Sequence, residues 1–156
     1  SYKIMMNSLY GALGNAYFRY FDLRMAEGIT LSGQLAIKWA EKAVNAFMNR
    51  ILKSDVDHVI AIDTDSVYVD FEPLVNHLNL ESKHDTDEIV KIIDKMCLDQ
   101  FEPVIANAYE ELASMLNAYE NKMVMAREAI ADAGIWTAKK RYILNVHNNE
   151  GTIRRT

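Results

Sequence analysis

The sequence predicts an α+β fold, a small antiparallel sheet covered by helices. Three observations carry this: early stretches with apolar residues at helical spacing, a β-branched hairpin pattern in mid-chain, and two further helices before a closing pair of strands. Residues 3–13 come first, as a two-faced helix. Met5, Met6, Leu9 and Leu13 fall on one side, with Lys3, Asn7, Tyr10 and Gly11 on the other. Gly11, Gly14 and Asn15 supply a helix stop, and Tyr17-Phe18-Arg19-Tyr20-Phe21 reads as a junction that packs or pairs. From about 22 to 52, Gly33, Ile37, Ala40, Val44, Phe47, Met48 and Ile51 form the stripe of a long helix whose other face is charged.

The texture changes at residues 58–71. Val59-Ile60-Ala61-Ile62 and Val67-Tyr68-Val69 flank Asp63-Thr64-Asp65-Ser66, the pattern of a β-hairpin with acids at its tip. A linker over 76–84 leads to a third helix. There Asp85 and Glu88 resemble a capping box and Ile89, Ile92, Ile93, Met96 and Cys97 recur at helical spacing. Pro103 ends or restarts that helix, and 104–116 make a fourth. Residues 122–130 and 139–146 read as two strands joined around Gly134, and Met123-Val124-Met125 as core. No repeat, low-complexity tract or internal linker divides the 156 residues, so one domain is expected.

The apolar stretches are interrupted well short of the roughly 20 residues a membrane span needs, so a soluble, cytoplasmic protein is expected. One cysteine, Cys97, has no partner for an internal disulfide, and four scattered histidines do not suggest a zinc site. A net charge of −5 argues against a stand-alone electrostatic binder of nucleic acid, though not against a catalytic domain that gathers carboxylates around metal ions.

Asp63 and Asp65 lie two apart, so on an extended chain their carboxylates project to one side and repel each other unless a cation intervenes. Hard oxygen ligands at a hairpin tip suit Mg²⁺. The spacing alone fits other readings equally: a solvated turn, or a glycosyltransferase that holds a nucleotide-sugar through a metal.

Context adds to this. Asp63-Thr64-Asp65-Ser66 followed by Val67-Tyr68-Val69 resembles motif C of family B DNA-directed DNA polymerases. Lys3-Ile4-Met5-Met6-Asn7-Ser8-Leu9-Tyr10-Gly11 matches that family's motif B, Lys-x-x-x-Asn-Ser-x-Tyr-Gly, and Ala12-Leu13-Gly14-Asn15 is similar to the T4-like bacteriophage branch. Lys139-Lys140-Arg141-Tyr142 matches the family's Lys-Lys-Arg-Tyr element, and Met125-Ala126-Arg127-Glu128-Ala129-Ile130 resembles the strand carrying its third palm carboxylate.

The resemblance implies a polymerase palm over 16–156, preceded over 1–15 by the C-terminal part of the second fingers helix. It implies Asp65 and Asp63 as catalytic metal ligands for two Mg²⁺ ions, with Asp63 the weaker participant, and Glu128 as a third acid. Lys3, Asn7 and Tyr10 would bind the incoming deoxynucleoside triphosphate, and Lys140, Tyr142 and Lys139 the primer-template DNA. Lys140 and Tyr142 are expected on one side of a strand. Ile62 stands where the family often has Gly, which would aim the hairpin differently.

The family's motif A, whose Asp is the other main metal ligand, is not in these residues, nor are the exonuclease domain, the first fingers helix or the thumb. With its Ser1 opening and its Arg154-Arg155-Thr156 close, the chain reads as an excerpt or one part of a split enzyme. It is expected to be inactive alone, and to oligomerise or bind a complementing chain through exposed apolar surface. Infected host cytoplasm would be its place if viral. The alternatives are a nucleotide-sugar-dependent glycosyltransferase, which would need an upstream parallel α/β unit, and a non-catalytic palm-like interaction module.

Overall fold

A computed structural model describes residues 2–138, 140–149 and 152–153, the side chains of Lys3, Met6, Asn7, Thr152 and Ile153 excepted. It is a mixed α+β arrangement: α1 (Tyr2–Leu13), α2 (Leu23–Leu52), β1 (Val59–Asp63), β2 (Ser66–Val69), α3 (Glu72–His77), α4 (Thr86–Met96), α5 (Glu102–Met115), β3 (Ala129–Ala138), β4 (Arg141–Asn149) and β5 (Thr152–Ile153). Two small sheets result, β1-β2 and β3-β4-β5, and every pairing is antiparallel.

The long helix is the spine. Asp22 caps α2 by accepting from the Arg24 N–H at 3.0 Å, and Lys53 closes it in a left-handed conformation, φ 53°. Between them the expected stripe faces the core: Ala40, Val44 and Met48, joined by Ala36, pack with Leu74 of α3, with Phe101 just before α5 and with Ile105, Tyr109 and Leu112 along it, while Phe47 and Ile51 are half-buried against the same cluster. Phe101 lies edge-on to Phe47 and Phe71, each 5.0 Å away between ring centroids. A second cluster, Val75, Leu80, Ile93 and Cys97, joins α3 to α4 and receives Ile130 from β3.

Pro103 restarts the helix, standing in the first turn of α5, where its missing N–H costs no hydrogen bond. The chain passes from α4 to α5 through one π-helical turn, Cys97–Phe101, in which the Glu102 N–H reaches back to the Cys97 carbonyl. That wider turn gives room for the proline ring, which would otherwise meet the carbonyl four residues earlier. The capping box is half realised. Asp85 accepts from the Thr86 N–H at 2.8 Å, but Glu88 pairs with the His84 ring at 2.9 Å.

The closing strands differ from expectation. Residues 121–128 are unpaired chain held by side chains, with the Arg127 N–H donating to Glu102 Oε1 at 3.0 Å. Val124 is 90% exposed, and of the Met-rich segment Met125 alone packs on the main core. Gly134 lies inside β3, opposite Leu144, and Lys140, just before β4, takes the turn conformation at φ 63°. The expected turn glycine instead permits a close approach of side chains.

Candidate functional site

Polar groups of α2 aim the acidic hairpin. Asn45 Oδ1 accepts from the His58 N–H at 2.8 Å, while its amide donates to Asp57 Oδ1, also at 2.8 Å. Asp57 accepts the Val59 N–H as well, and that bond and the Asn45 amide hold its carboxyl below the ordinary carboxylate value. One turn on, Asn49 brackets the loop by donating to the Val56 carbonyl and accepting the Val56 N–H, and its Oδ1 lies 3.0 Å from His58 Nε2. His58 is buried, and its carbonyl accepts from the Asp70 N–H, closing the open end of the hairpin.

At the other end β1 and β2 pair Asp63 with Ser66 across the two-residue turn Thr64-Asp65. Thr64 takes φ 48°, a left-handed conformation that costs a β-branched residue energy. The turn is tied by the Asp65 N–H to the Asp63 carbonyl at 2.6 Å, by Ser66 Oγ to the same carbonyl at 3.1 Å, and by Thr64 Oγ1 to Asp63 Oδ1 at 3.1 Å. Asp65 is exposed, and no hydrogen bond or ion pair engages its carboxylate among the described residues.

The β3–β4 hairpin supplies the rest. Lys140 Nζ stands 3.8 Å from Asp63 Oδ1. Lys140 sits in the turn itself and does not share a strand face with Tyr142 as expected, yet both reach the neighbourhood of the acids. Tyr142 packs against Tyr68 of β2 at 5.5 Å. Its phenol is pushed above the ordinary value, first by the hydrogen bond and charge of Tyr68, then by desolvation and by the carboxylates of Glu128 and Asp63. Glu128 is exposed in the unpaired chain just before β3.

Asp63 thus stands beside Lys140, its charge and that of Glu128 bear on Tyr142, and Asp65 shares its turn. Among the described residues no group of three or more His, Cys, Asp or Glu could hold a metal ion, so two hard carboxylates on one turn make a donor set of the right chemistry but not a complete one. Tyr10 is elsewhere: its hydroxyl shares a 2.8 Å hydrogen bond with Thr30 of α2, and no described contact joins it to the acidic turn. The side chains of Lys3 and Asn7, and all of Lys139, lie outside the described residues.

Residue spacing alone did not reveal the supports. Arg127 is the clearest: mostly buried, it pairs with Asp94 of α4 and donates at 3.2 Å to both Asn148 Oδ1 and the Glu128 carbonyl, so it fixes the backbone carrying Glu128. Asn45 and Asn49, four apart beside the apolar stripe of α2, are the one legible hint, being short amides on a helix face otherwise committed to packing.

No helix among the described residues is long and apolar enough to cross a membrane. The parallel α/β unit that a nucleotide-sugar transferase would need is not among them either. Residues 1–155 match the sequence profile described as DNA polymerase family B. The chain is 40% identical over 96% of its length to the DNA-directed DNA polymerase of Escherichia phage RB69 and 41% identical over 95% to that of Enterobacteria phage T4, and it spans 18% of each. It is also 27% identical over 94% of its length to the DNA polymerase beta of African swine fever virus, of which it spans 12%.

Proposed function

This chain belongs to DNA polymerase family B, and from that premise we propose that it forms the end of a fingers helix, residues 1–15, and a palm, residues 16–156, in a replicative enzyme that adds deoxynucleotides to a primer 3′ end. The observation that carries the proposal is the acidic turn. An exposed, unengaged Asp65 and a tethered Asp63 stand on a rigid hairpin, with Lys140 and Tyr142 beside them.

Mg²⁺ supplies neutralisation of developing charge on the attacking and leaving oxygens when bound. Asp65 and Asp63 would hold it, together with an aspartate that these 156 residues do not include. Asp63 is kept in place by Thr64 Oγ1 and balanced by Lys140. Glu128 adds negative charge at the rim of the site. Lys140 and Tyr142 meet the primer-template duplex through its backbone and groove, independent of sequence, as copying requires.

Helical spacing sets Lys3, Asn7 and Tyr10 on one side of α1, where they would offer a cation, an amide and a ring to the triphosphate and the nascent base pair. The Tyr10–Thr30 bond holds that ring against α2. Large apolar side chains exposed on and after α1, among them Ile4, Met5, Leu9 and Tyr20, suit the docking of the missing polymerase segment. The cytoplasm of an infected host is the fitting compartment.

Primer extension with Mg²⁺ and deoxynucleotides tests the reading in three arms: the chain alone, the chain with a segment supplying the missing aspartate, and that mixture carrying Asp65→Ala. Extension is expected in the second arm only. Extension by the chain alone would overturn its dependence on the missing aspartate, and undiminished extension by the Asp65→Ala mixture would overturn the site.

A further inference from the structure

The acidic turn is aimed by α2 at one end and by an aromatic clasp at the other. Tyr68, three residues after Asp65, lies edge-on to Trp136 at 5.5 Å and to Tyr142 at 5.5 Å between ring centroids, and Trp136 and Tyr142 stack at 6.3 Å with 30° between planes. Trp136 and Tyr142 are directly paired across β3 and β4, so the two rings form one wall that receives Tyr68 from the other sheet.

Gly134 makes the wall possible. It sits two residues before Trp136, on the same face of β3, and opposite Leu144. A Cβ on it would lie 2.7 Å from two ring carbons of Trp136 and 2.7 Å from a Leu144 methyl. Its φ is outside the left-handed region, so the requirement for glycine here comes from the indole lying over it and not from the backbone. The Trp136 Nε1 is buried with no hydrogen-bond partner among the described residues. A site that leaves the indole N–H unpaired is using the ring for its shape.

Resting on the polymerase reading above, we propose that Trp136, seated on Gly134, is a positioning residue for nucleotide addition, holding Tyr68 and so setting the aim of the Asp63-Thr64-Asp65 turn. It touches neither acid; it acts through β2. Each aromatic pair is a modest contact, but the acids must be placed to a fraction of an ångström, and a small misplacement is costly in rate.

The test uses the complete polymerase carrying this segment, with Trp136→Ala, Trp136→Phe, Gly134→Ala and Asp65→Ala. Single-turnover incorporation is measured across a Mg²⁺ titration, and amide hydrogen exchange is measured over residues 59–69 and over α2 and α5. Trp136→Ala is expected to slow incorporation about 10- to 100-fold and to raise the Mg²⁺ concentration at half-maximal rate. It should speed exchange in the hairpin while exchange in α2 and α5 stays as in the parent. Trp136→Phe should restore most of the rate, and Gly134→Ala should cost much less in the Trp136→Ala background than in the parent.

A Trp136→Ala enzyme with parental rate, Mg²⁺ dependence and hairpin exchange would overturn the positioning role, as would equal acceleration of exchange in α2 and α5. If Asp65→Ala incorporates like the parent, the polymerase site itself is wrong, whatever Trp136 does.

Discussion

Single residues here separate into those that titrate against the fold and those that do not. Cys97 is buried between α4 and α5, and burial pushes its thiol up to about 11, with Asp94 and Glu102 adding to the effect and Arg127 opposing it. It should resist alkylation under native conditions at mildly alkaline pH and react fully once the chain is denatured. Fast native labelling would contradict the packing described. Asp57 behaves oppositely: the bonds from Val59 and Asn45 lower its folded-state value below 3.8, so its contribution is whole above 3.8 and disappears as pH falls through the lower folded value. An Asp57→Asn chain should therefore be less stable than the parent at neutral pH, and the gap should close in acid. Unfolding curves across that range check the sign.

At the scale of elements, the buried stripe of α2 carries the stability. Met48 is fully buried against α5, so Met48→Ala should cost about 2–5 kcal/mol in denaturant unfolding. Val124→Ala, on the exposed chain before β3, should change stability by no more than about 0.5 kcal/mol. This contrast also shows what could be read from residues alone. The α2 stripe and the 58–71 hairpin were legible because their periods, 3.6 and 2, are unambiguous and the acids interrupt the second. The passage through Pro103 was half legible: the proline marks the first turn of α5, but apolar spacing is similar on both sides of it and nothing local announces the π turn at Cys97–Phe101 that joins the two helices. The β3–β4 turn was missed for a related reason: Gly134 looked like turn chemistry, whereas Lys140 takes the left-handed position and Gly134 makes room for Trp136. Of the candidate site, the acids and the basic run were visible as motifs. Arg127, Asn45, Asn49 and the Tyr68–Trp136 contact depend on which elements meet, and local spacing does not encode that.

In the whole molecule α2 aims the β1–β2 hairpin while α4 seats β3–β4 through Asp94 and the cluster that receives Ile130, so that Asp63 of one hairpin stands beside Lys140 of the other and Tyr68 meets Tyr142. On the proposed function, the carboxylates of the acidic turn hold cations, and Lys140 partly balances Asp63. On that same proposed function, Asp65 binds the metal that nucleotide addition needs. The most direct test replaces Asp65 with cysteine in the complete polymerase and compares single-turnover incorporation in Mg²⁺ with that in Mn²⁺ or Cd²⁺, which accept a thiolate far better. Loss of activity in Mg²⁺ with recovery in the softer ions is the result expected of a direct ligand. Activity in Mg²⁺ equal to that of the parent enzyme would contradict the account.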